Sequence, residues 1–202
     1  MTTSADEPGL RERKKRAARA GLQRAALGLV AEHGIAHVTV DDIAARADVS
    51  PRTFFNYFSS KEEALFAPDP DRLRQAEHEL ATRLPGAPVF EVLRSVMLDF
   101  AESAEEDSHG LELRQLVVER EPTLVGALVG ATAASERTFV EAVHRRLGDD
   151  APDGYAELVV TVTWAAFRSA IQVWRRDDKR HSLRDGLARN LELIACGLRG
   201  PG

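Results

Sequence analysis

Cysteine, aromatic residues and long apolar runs are all scarce in this sequence. Cys196 is the only cysteine, so no disulfide can form within the chain, and this usage is typical of a reducing cytoplasm. Every apolar run is shorter than the about 20 residues that a helix needs to cross a bilayer. Residues 1–8 are polar and acidic, unlike a signal peptide. The sequence therefore predicts a soluble cytoplasmic protein with no membrane partner.

The motifs of common catalytic and cofactor sites are also missing. There is no phosphate-binding glycine loop and no nucleophile elbow. Two Glu-x-x-His pairs occur, Glu106 with His109 and Glu141 with His144. A di-iron bundle needs two such pairs and further inward glutamates. The first pair lies in an acidic run and the second flanks an apolar stripe, so the side chains of both pairs are expected to be solvated. We therefore expect no catalytic residue, no cofactor and no metal, and a helical-bundle di-metal enzyme is only a distant alternative.

Basic residues are concentrated near the N-terminus although the net charge of the chain is −5. Residues 1–66 sum to +1, whereas the remaining residues sum to −6. Because Lys and Arg neutralise phosphates and release counterions, a basic head on an acidic body is typical of a protein that binds DNA in one orientation. A solvated helix face or a basic tail is the alternative explanation. The basic residues of this cluster are Arg11, Arg13, Lys14, Lys15, Arg16, Arg19 and Arg24.

Apolar residues recur at helical spacing along the chain and no alternating strand pattern persists, so the sequence predicts an all-α fold. Gly34 is expected to end the first helix as a left-handed cap. Pro68 and Pro70 mark a boundary between an N-terminal domain, 10–67, and a C-terminal domain, 68–202. The periodicity predicts helices at about 10–33, 40–47, 51–58, 61 onward, 71–84, 88–107, 110–121, 123–147, 153–178 and 182–199.

The cap and turn residues of a helix-turn-helix lie between residues 39 and 51. Thr39 stands at an N-cap position, with Asp42 three residues on as its capping-box partner. Asp48 is placed in the tight turn, because Asp tolerates the left-handed conformation better than most residues. Ser50 caps the next helix, and Pro51 occupies its first position, where a missing N–H is harmless. Such a pair of short helices inserts its second member into the major groove.

This second helix carries a polar face that suits base recognition. Arg52 can read guanine, Asn56 can read adenine, and Thr53 can contact a thymine methyl group or a phosphate. The exposed face as a whole is predicted to comprise Pro51, Arg52, Thr53, Asn56 and Tyr57.

Aromatic residues supply the other faces of the same helix. Phe54 and Phe58 are predicted to be buried, whereas Phe55 is open between contact with sugar or methyl groups and simple packing. Lys61, at the start of the following helix, is placed to reach a phosphate with its side chain. The free backbone N–H groups of a helix start also bind anions directly.

Several landmark residues between Ala25 and Leu65 occur in a characteristic order and spacing: Gly34, Thr39, Ile43-Ala44, Val49-Ser50, Thr53-Phe54, Tyr57-Phe58 and Ser60-Lys61-Glu62. On these landmarks the segment resembles the DNA-binding domain of TetR-family regulators. The resemblance implies a two-domain, all-helical homodimer with an N-terminal helix-turn-helix domain and a C-terminal helical bundle for ligand binding and dimerisation. Asp48 departs from the glycine that is usual there, and Phe55 from a common tyrosine. The DNA contacts that the resemblance implies are Thr39, Val40, Asp41, Ser50, Pro51, Arg52, Thr53, Phe55, Asn56, Tyr57 and Lys61.

The helix that starts near Tyr155 is apolar nearly all round, so it is expected to be buried on two sides. In the resemblance, the final two helices form a four-helix interface with their twofold mates. Such a dimer places two recognition helices about one DNA turn apart and reads a pseudo-palindrome. The alternative is that these residues form only the core of one chain. The candidate interface residues are Trp164, Trp174, Leu187, Leu191 and Ile194.

A ligand pocket is expected between helices of the C-terminal domain. Its candidate lining residues, each of which is alternatively plain core, are Val96, Phe100, Leu116, Leu128, Phe139, Val143, Val162, Phe167, Arg168 and Ile171. The pattern Arg114, Pro122, Leu124 resembles a subgroup associated with acyl-CoA-like ligands. The sequence thus predicts a repressor that a small apolar ligand releases from a palindromic operator in double-stranded DNA. An activator and a ligand-independent regulator are the alternatives.

Overall fold

The computed structural model describes residues 10–148, 152–177 and 180–198. These residues contain no strand, and the prediction of an all-α fold is confirmed. Short 3₁₀ helices cover Ile35–His37 and Pro122–Leu124. The α-helices are α1 (Leu10–His33), α2 (Val40–Arg46), α3 (Pro51–Phe55), α4 (Lys61–Phe66), α5 (Pro70–Thr82), α6 (Val89–Glu106), α7 (Ser108–Arg120), α8 (Val125–Leu147), α9 (Tyr155–Arg176) and α10 (Leu183–Ala195).

The chain forms two compact units. The first consists of Met1–Ala67 and His109–Val129, and the second of Pro68–Ser108 and Gly130–Gly202. The chain passes into the second unit after residue 67, where the sequence predicts a boundary, but residues 109–129 lie with the N-terminal helices. Hydrogen bonds from α7 and the residue after it to the end of α1 account for this placement. Of the predicted pocket residues, Leu116 and Leu128 therefore belong to the first unit.

The core of the first unit is built where α1 packs on α2 and α4, and α2 on α3. Leu22 and Ala26 of α1 have no exposed surface, and neither do Ile43 of α2 and Phe54 of α3. Phe58, which follows α3, is also buried, at 2% exposure, so the predicted buried face of this region is confirmed. Burying a leucine, isoleucine or phenylalanine side chain contributes about 1.5–3 kcal/mol, so a few such residues determine how these short helices pack on one another.

In the second unit, α10 packs against α9 and α6, and α6 also packs against α5 and α9. Gly186 of α10 faces Ala170 of α9, and a Cβ at position 186 would lie at an ordinary contact distance of 3.8 Å from the Cβ of Ala170. Asn190 Nδ2 donates to the carbonyl of Ala166 at 3.0 Å and joins the same two helices. Arg83 donates to Asp99 at 2.6 Å and so links the end of α5 to α6. The unit is therefore a helical bundle whose core is apolar and whose helix contacts are reinforced by polar side chains.

Several helix ends differ from the predicted ones for local reasons. α3 ends at Phe55 because the N–H of Asn56 and that of Tyr57 each donate three residues back, which tightens the last turn. α10 ends at Ala195, since Gly197 follows with a φ of 77°. α6 ends at Glu106 and α7 starts at Ser108, so the predicted break between these helices lies at Asp107 instead of at 108–110.

Gly34 also differs from the prediction of a left-handed cap. Its φ is 80° but its ψ is 153°, which lies outside the left-handed helical region. Only glycine adopts this combination readily, because other residues carry a Cβ that clashes there. The position still requires glycine, although for a different backbone geometry than the sequence suggests.

Across the described residues, no helix combines the length and apolar character that crossing a membrane requires.

Candidate nucleic-acid interface

A complete capping box starts α2, as the sequence predicts. Thr39 Oγ1 accepts a hydrogen bond from the N–H of Asp42 at 3.2 Å, and Asp42 Oδ2 accepts one from the N–H of Thr39 at 2.9 Å. The Thr39 hydroxyl also donates to Asp42 Oδ2 at 2.6 Å. The hydrogen bond from the Thr39 hydroxyl lowers the pKa of the Asp42 carboxyl most, and the bond from the Thr39 N–H lowers it further, because both stabilise the ionised carboxylate. The box fixes the first turn of α2 and places Thr39 on the surface.

The turn between α2 and α3 is also the predicted one. Asp48 has a φ of 54°, and the N–H of Val49 donates to the carbonyl of Ala44 at 3.0 Å. Ser50 then caps α3, since its Oγ accepts from the N–H of Thr53 at 3.1 Å. Pro51 follows at the first helical position. With both ends of the turn satisfied by hydrogen bonds, α2 and α3 form the helix-turn-helix pair that the sequence indicates.

The outer face of α3 is open to solvent. Arg52 and Asn56 are exposed, and among the described residues neither side chain makes a hydrogen bond or an ion pair. Phe55 lies between them and is 58% exposed, so the question of its packing is resolved in favour of the surface. A guanidinium, a carboxamide and an apolar ring on one short helix can contact guanine, adenine and a thymine methyl group respectively.

The residues predicted to contact DNA differ in exposure, and some are half-buried while others are exposed. Thr53 and Tyr57 are half-buried, and the hydroxyl oxygen of Thr53 lies 2.9 Å from that of Ser50. Val40 and Lys61 are likewise half-buried. The exposed members of the predicted set are Thr39, Asp41, Ser50, Pro51, Arg52, Phe55 and Asn56.

Lys61 is engaged inside the unit. Its Nζ donates to the carbonyl of Ile35 at 2.7 Å and to that of Val38 at 2.9 Å. Two of the three ammonium hydrogens therefore stabilise the connection between α1 and α2. The phosphate contact that the sequence suggests for Lys61 would have to come from the third hydrogen or from its backbone N–H.

Arg19 belongs to the basic cluster of the sequence, but its side chain contacts Tyr57 and Phe58, the residues that follow α3. Its guanidinium carbon lies 4.2 Å from the centroid of the Phe58 ring, and its Nη1 donates to the carbonyl of Tyr57 at 3.0 Å. Arg11, Arg13 and Arg24, by contrast, are exposed. Exposed cations of this kind can attract phosphates independently of the base sequence.

Comparisons with known proteins match this arrangement at both ends of the chain. Residues 17–67 match the family model of bacterial regulatory proteins of the tetR family, and residues 87–199 match that of the MftR C-terminal domain. The HTH-type transcriptional regulator TcmR of Streptomyces glaucescens is 32% identical over 174 residues, which are 83% of this chain and 77% of TcmR. This chain belongs to the TetR family. It is a DNA-binding transcriptional regulator, and the helix-turn-helix described above is the part of the chain that the tetR model covers.

Further relatives agree with this family assignment. The putative mycofactocin biosynthesis transcriptional regulator MftR of Mycobacterium tuberculosis is 27% identical over 173 residues, 86% of this chain and 87% of MftR. The fold is shared with Thermus thermophilus FadR in complex with lauroyl-CoA, at a TM-score of 0.59 and 24% identity, over 91% of this chain and 96% of FadR. It is also shared with SmeT in its triclosan complex, at a TM-score of 0.57 and 22% identity, over 92% and 96% of the two chains.

In the second unit of this TetR-family chain, four aromatic rings meet. The Trp164 ring of α9 lies 5.7 Å from Phe100 of α6, 5.7 Å from Phe139 of α8 and 5.9 Å from Phe167 of α9, all edge to face. We call these residues the aromatic cluster. Three of them are predicted pocket residues, and Trp164 was predicted for the dimer interface. Trp164 Nε1 is buried and has no hydrogen-bond partner among the described residues, which is unusual for a buried donor.

The other predicted pocket residues of this unit divide by exposure. Val96 and Val143 are buried, Val162 and Ile171 are half-buried, and all four lie on helices of the bundle. Arg168 is exposed and pairs with Glu136, with its Nη1 at 3.0 Å from Oε1. The structure thus groups most of the predicted apolar residues in one bundle but engages Arg168 at its surface.

Four of the five residues predicted for the dimer interface are buried within the second unit. Leu187 and Leu191 have no exposed surface, and Trp174 is 5% exposed. Ile194 is half-buried. A different face of α9 is exposed, and it carries no charge along five positions three or four residues apart: Leu158, Thr161, Ala165, Ser169 and Gln172. We call this the α9 stripe.

One of the two Glu-x-x-His pairs engages a side chain outside the pair. His144 Nε2 lies 3.1 Å from Glu157 Oε1, and both side chains are exposed. In the described part of the chain, no three histidine, cysteine or acidic residues gather as a metal ion would require.

Proposed function

We propose that this regulator is a repressor, which binds a palindromic operator as a homodimer and leaves it when a small apolar ligand enters the second unit. The observation that carries the DNA-binding part is the open face of α3, where Arg52 and Asn56 are exposed and unengaged among the described residues. Exposed polar side chains on a capped helix can replace their hydrogen bonds to water with hydrogen bonds to base edges, without losing a bond to the protein. The protein acts in the cytoplasm by occupying DNA, with no catalytic step.

Base recognition falls to three residues of this face. Arg52 makes a bidentate contact with guanine, Asn56 contacts adenine, and the ring of Phe55 packs on a thymine methyl group. Ser50, at the start of α3, donates to a phosphate, which helps to set the position of α3 in the groove. Thr39 reaches a phosphate only if it gives up one of its two hydrogen bonds to Asp42. Each bidentate base contact is worth about 1–3 kcal/mol of discrimination against the wrong base.

The homodimer forms through the α9 stripe. Interfaces between chains are depleted of charged residues at their centre, and the five stripe positions are uncharged in a chain in which 29% of residues are charged. Arg168 lies beside the stripe and is paired with Glu136. Leu193 of α10, 49% exposed, adds apolar surface to the interface. Two α3 helices related by a twofold axis then read the two halves of the operator.

The ligand binds at the aromatic cluster. Phe100 is only half-buried, so one side of the cluster lies near the surface of the bundle. Trp164 Nε1 offers a buried donor without a partner among the described residues, and leaving it unsatisfied costs about 1–3 kcal/mol. An apolar ligand with one carbonyl, ether or hydroxyl oxygen would satisfy this donor and pack on the rings. The complexes of FadR with lauroyl-CoA and of SmeT with triclosan suggest these two compounds as first probes.

Transcription in vitro from the promoter of its own gene tests this function. We expect purified protein to lower transcript yield, and lauroyl-CoA or triclosan to restore it. Trp164→Phe, which removes the N–H and keeps an aromatic ring, should still repress but should need more of the effective compound. A rise in transcript on adding the protein would identify an activator instead. Repression that neither probe relieves, with no change of melting temperature in their presence, would speak against a ligand of this kind.

A further inference from the structure

The end of α1 is held by two consecutive residues that lie far away in the sequence. Arg120, the last residue of α7, donates through Nη1 to the carbonyl of Ala31 at 2.7 Å. Glu121 accepts through Oε1 from the N–H of Ile35 at 3.1 Å. We call this pair of side chains the α1 clasp. All these residues belong to the first unit.

The clasp occupies the place of one helical hydrogen bond. If α1 continued for another turn, the N–H of Ile35 would donate to the carbonyl of Ala31, four residues earlier. The last regular bond of this kind runs from Gly34 to Val30, at 2.9 Å. Beyond it, Glu121 accepts from the donor and Arg120 donates to the acceptor that the next bond would have used. The clasp therefore ends α1 at a defined residue and satisfies polar groups that helix ends leave without partners.

Gly34 makes room for the clasp. A Cβ at this position would lie 2.8 Å from Glu121 Oε1, which is closer than real contacts allow. Its backbone conformation, with φ at 80° and ψ at 153°, also excludes other residues at low cost. The turn of the backbone thus requires glycine here, and a Cβ would in addition displace the Glu121 carboxylate from its place in the clasp.

Lys61 completes the support of the same connection from the opposite element. Ile35 donates its N–H to Glu121 and accepts at its carbonyl from Lys61 Nζ, at 2.7 Å. Lys61 also holds the carbonyl of Val38, and the next residue is Thr39, the N-cap of α2. The few residues between the clasp and Thr39 are therefore bound at several points, and the start of α2 has little freedom to shift.

We infer that Arg120 and Glu121 are positioning residues for operator binding, which hold the start of α2 in the place where α3 fits the major groove. The inference rests on the proposed function. Residues 109–129 are joined by the chain to the second unit at both ends, at residues 108 and 130. The same segment that fixes the connection before α2 is thus the one through which the chain leads to the helices of the aromatic cluster.

The test compares variants of the full-length protein by fluorescence anisotropy with its own promoter DNA and with scrambled DNA of equal length. The double variant Arg120→Met/Glu121→Met removes the donor and the acceptor and keeps side chains of similar length. We expect its operator affinity to fall about tenfold or more, since each lost bond involves a charged group. Its affinity for scrambled DNA should stay within about twofold, because phosphate contacts are unchanged. The conservative variant Arg120→Lys/Glu121→Gln, which keeps one donor and one acceptor, should recover most of the operator affinity.

A matched control is Glu106→Met/Arg137→Met. It removes one acid and one base from exposed positions whose side chains make no hydrogen bond or ion pair with the described residues. This variant should bind both DNAs like the wild type. If the double clasp variant does not fold, Arg120→Met alone provides the comparison, with an expected loss of about threefold to tenfold.

Operator affinity within about twofold of the wild type in a folded clasp variant would overturn the inference. So would an equal loss on operator and scrambled DNA, because that pattern indicates general damage to the domain. If the wild type itself does not prefer its promoter DNA, the proposed function fails, independently of the clasp.

Discussion

The guanidinium of Arg19 stacks over the ring of Phe58, with its carbon 4.2 Å from the ring centroid. The same guanidinium donates to the carbonyl of Tyr57 at 3.0 Å, so α1 is joined to the residues that follow the recognition helix. Phe58 in turn packs on Phe54, whose ring centroid lies 5.6 Å away. A basic residue of the DNA-binding region thus acts on the inner side of α3, where it supports the helix that is proposed to contact the DNA.

This contact predicts a loss of stability when Arg19 is replaced. Arg19→Met removes both the stacking of a cation on the ring and the hydrogen bond, which together contribute about 1–2 kcal/mol. Urea unfolding followed by circular dichroism measures the change. Arg24→Met, at an exposed position of the same helix, serves as the control and should change the free energy of unfolding by less than about 0.5 kcal/mol. Equal stabilities of the two variants would show that the Arg19 contact contributes nothing.

Lys61 gives a second prediction, because two roles for it have different consequences. If its ammonium mainly binds the carbonyls of Ile35 and Val38, Lys61→Met should lower the free energy of unfolding by about 1.5–3 kcal/mol. The dependence of operator affinity on salt should then keep its slope. A phosphate contact instead predicts unchanged stability and a slope smaller by about one. Unfolding curves and binding at several salt concentrations, measured on the same preparation, distinguish the two.

The capping box of α2 predicts a pH dependence. Hydrogen bonds from Thr39 lower the pKa of Asp42 in the folded state, so its contribution to stability is present above the unfolded pKa of about 3.9 and is lost as pH falls through the folded value. Asp42→Asn should therefore be less stable than the wild type at pH 7, and the difference should shrink as the pH falls below about 3.9. Asp41→Asn, one residue earlier in the same helical turn, is the control for the helix dipole. Thermal melts across this pH range measure both, and parallel curves for the two variants would contradict the role of Thr39.

The α9 stripe predicts where the dimer is sensitive. Ala165→Arg places a charge in the middle of the stripe, so we expect it to convert the dimer to a monomer at micromolar concentration, as measured by light scattering after gel filtration. Operator affinity should fall as well, because two linked recognition helices bind far better than one. Ala81→Arg, at an exposed position of α5, should leave the dimer intact. A dimer that persists in Ala165→Arg would place the interface elsewhere.

The helix-turn-helix could be predicted in detail from the sequence because its signals are local. The Thr39 and Asp42 box, the Asp48 turn and the Ser50 cap each involve residues within a few positions of one another. Their geometry depends on short-range backbone sterics and hydrogen bonds, which the residue types themselves determine.

Contacts between distant segments were not predictable in this way. Arg120 and Ala31 are 89 positions apart and Lys61 and Ile35 are 26 apart, and no periodicity or cap residue relates them. For the same reason the sequence did not indicate that residues 109–129 join the N-terminal unit. A lysine at a helix start, such as Lys61, is predicted to bind phosphate, because the sequence does not show that the carbonyls of Ile35 and Val38 accept its hydrogen bonds.

Core and interface could not be separated from the pattern of apolar residues. In the sequence, Leu187 and Trp164 resemble residues that face a partner chain, because a buried core and a dimer interface both select apolar side chains at helical spacing. The α9 stripe was missed because Thr161, Ala165 and Ser169 are small and carry little hydrophobic signal. Their exposure on one face became evident only once the other faces of α9 were seen to be covered.

The most direct test of the account is base preference at the operator. Selection of bound sequences from a random pool, carried out with the wild type and with Arg52→Ala, measures it, and Arg137→Ala serves as a control with the same loss of charge. The account predicts a palindromic consensus for the wild type and for the control, and a preference in Arg52→Ala that is relaxed at one symmetric pair of positions. A consensus that Arg52→Ala leaves unchanged, or the absence of any consensus, would contradict the claim that the open face of α3 reads DNA.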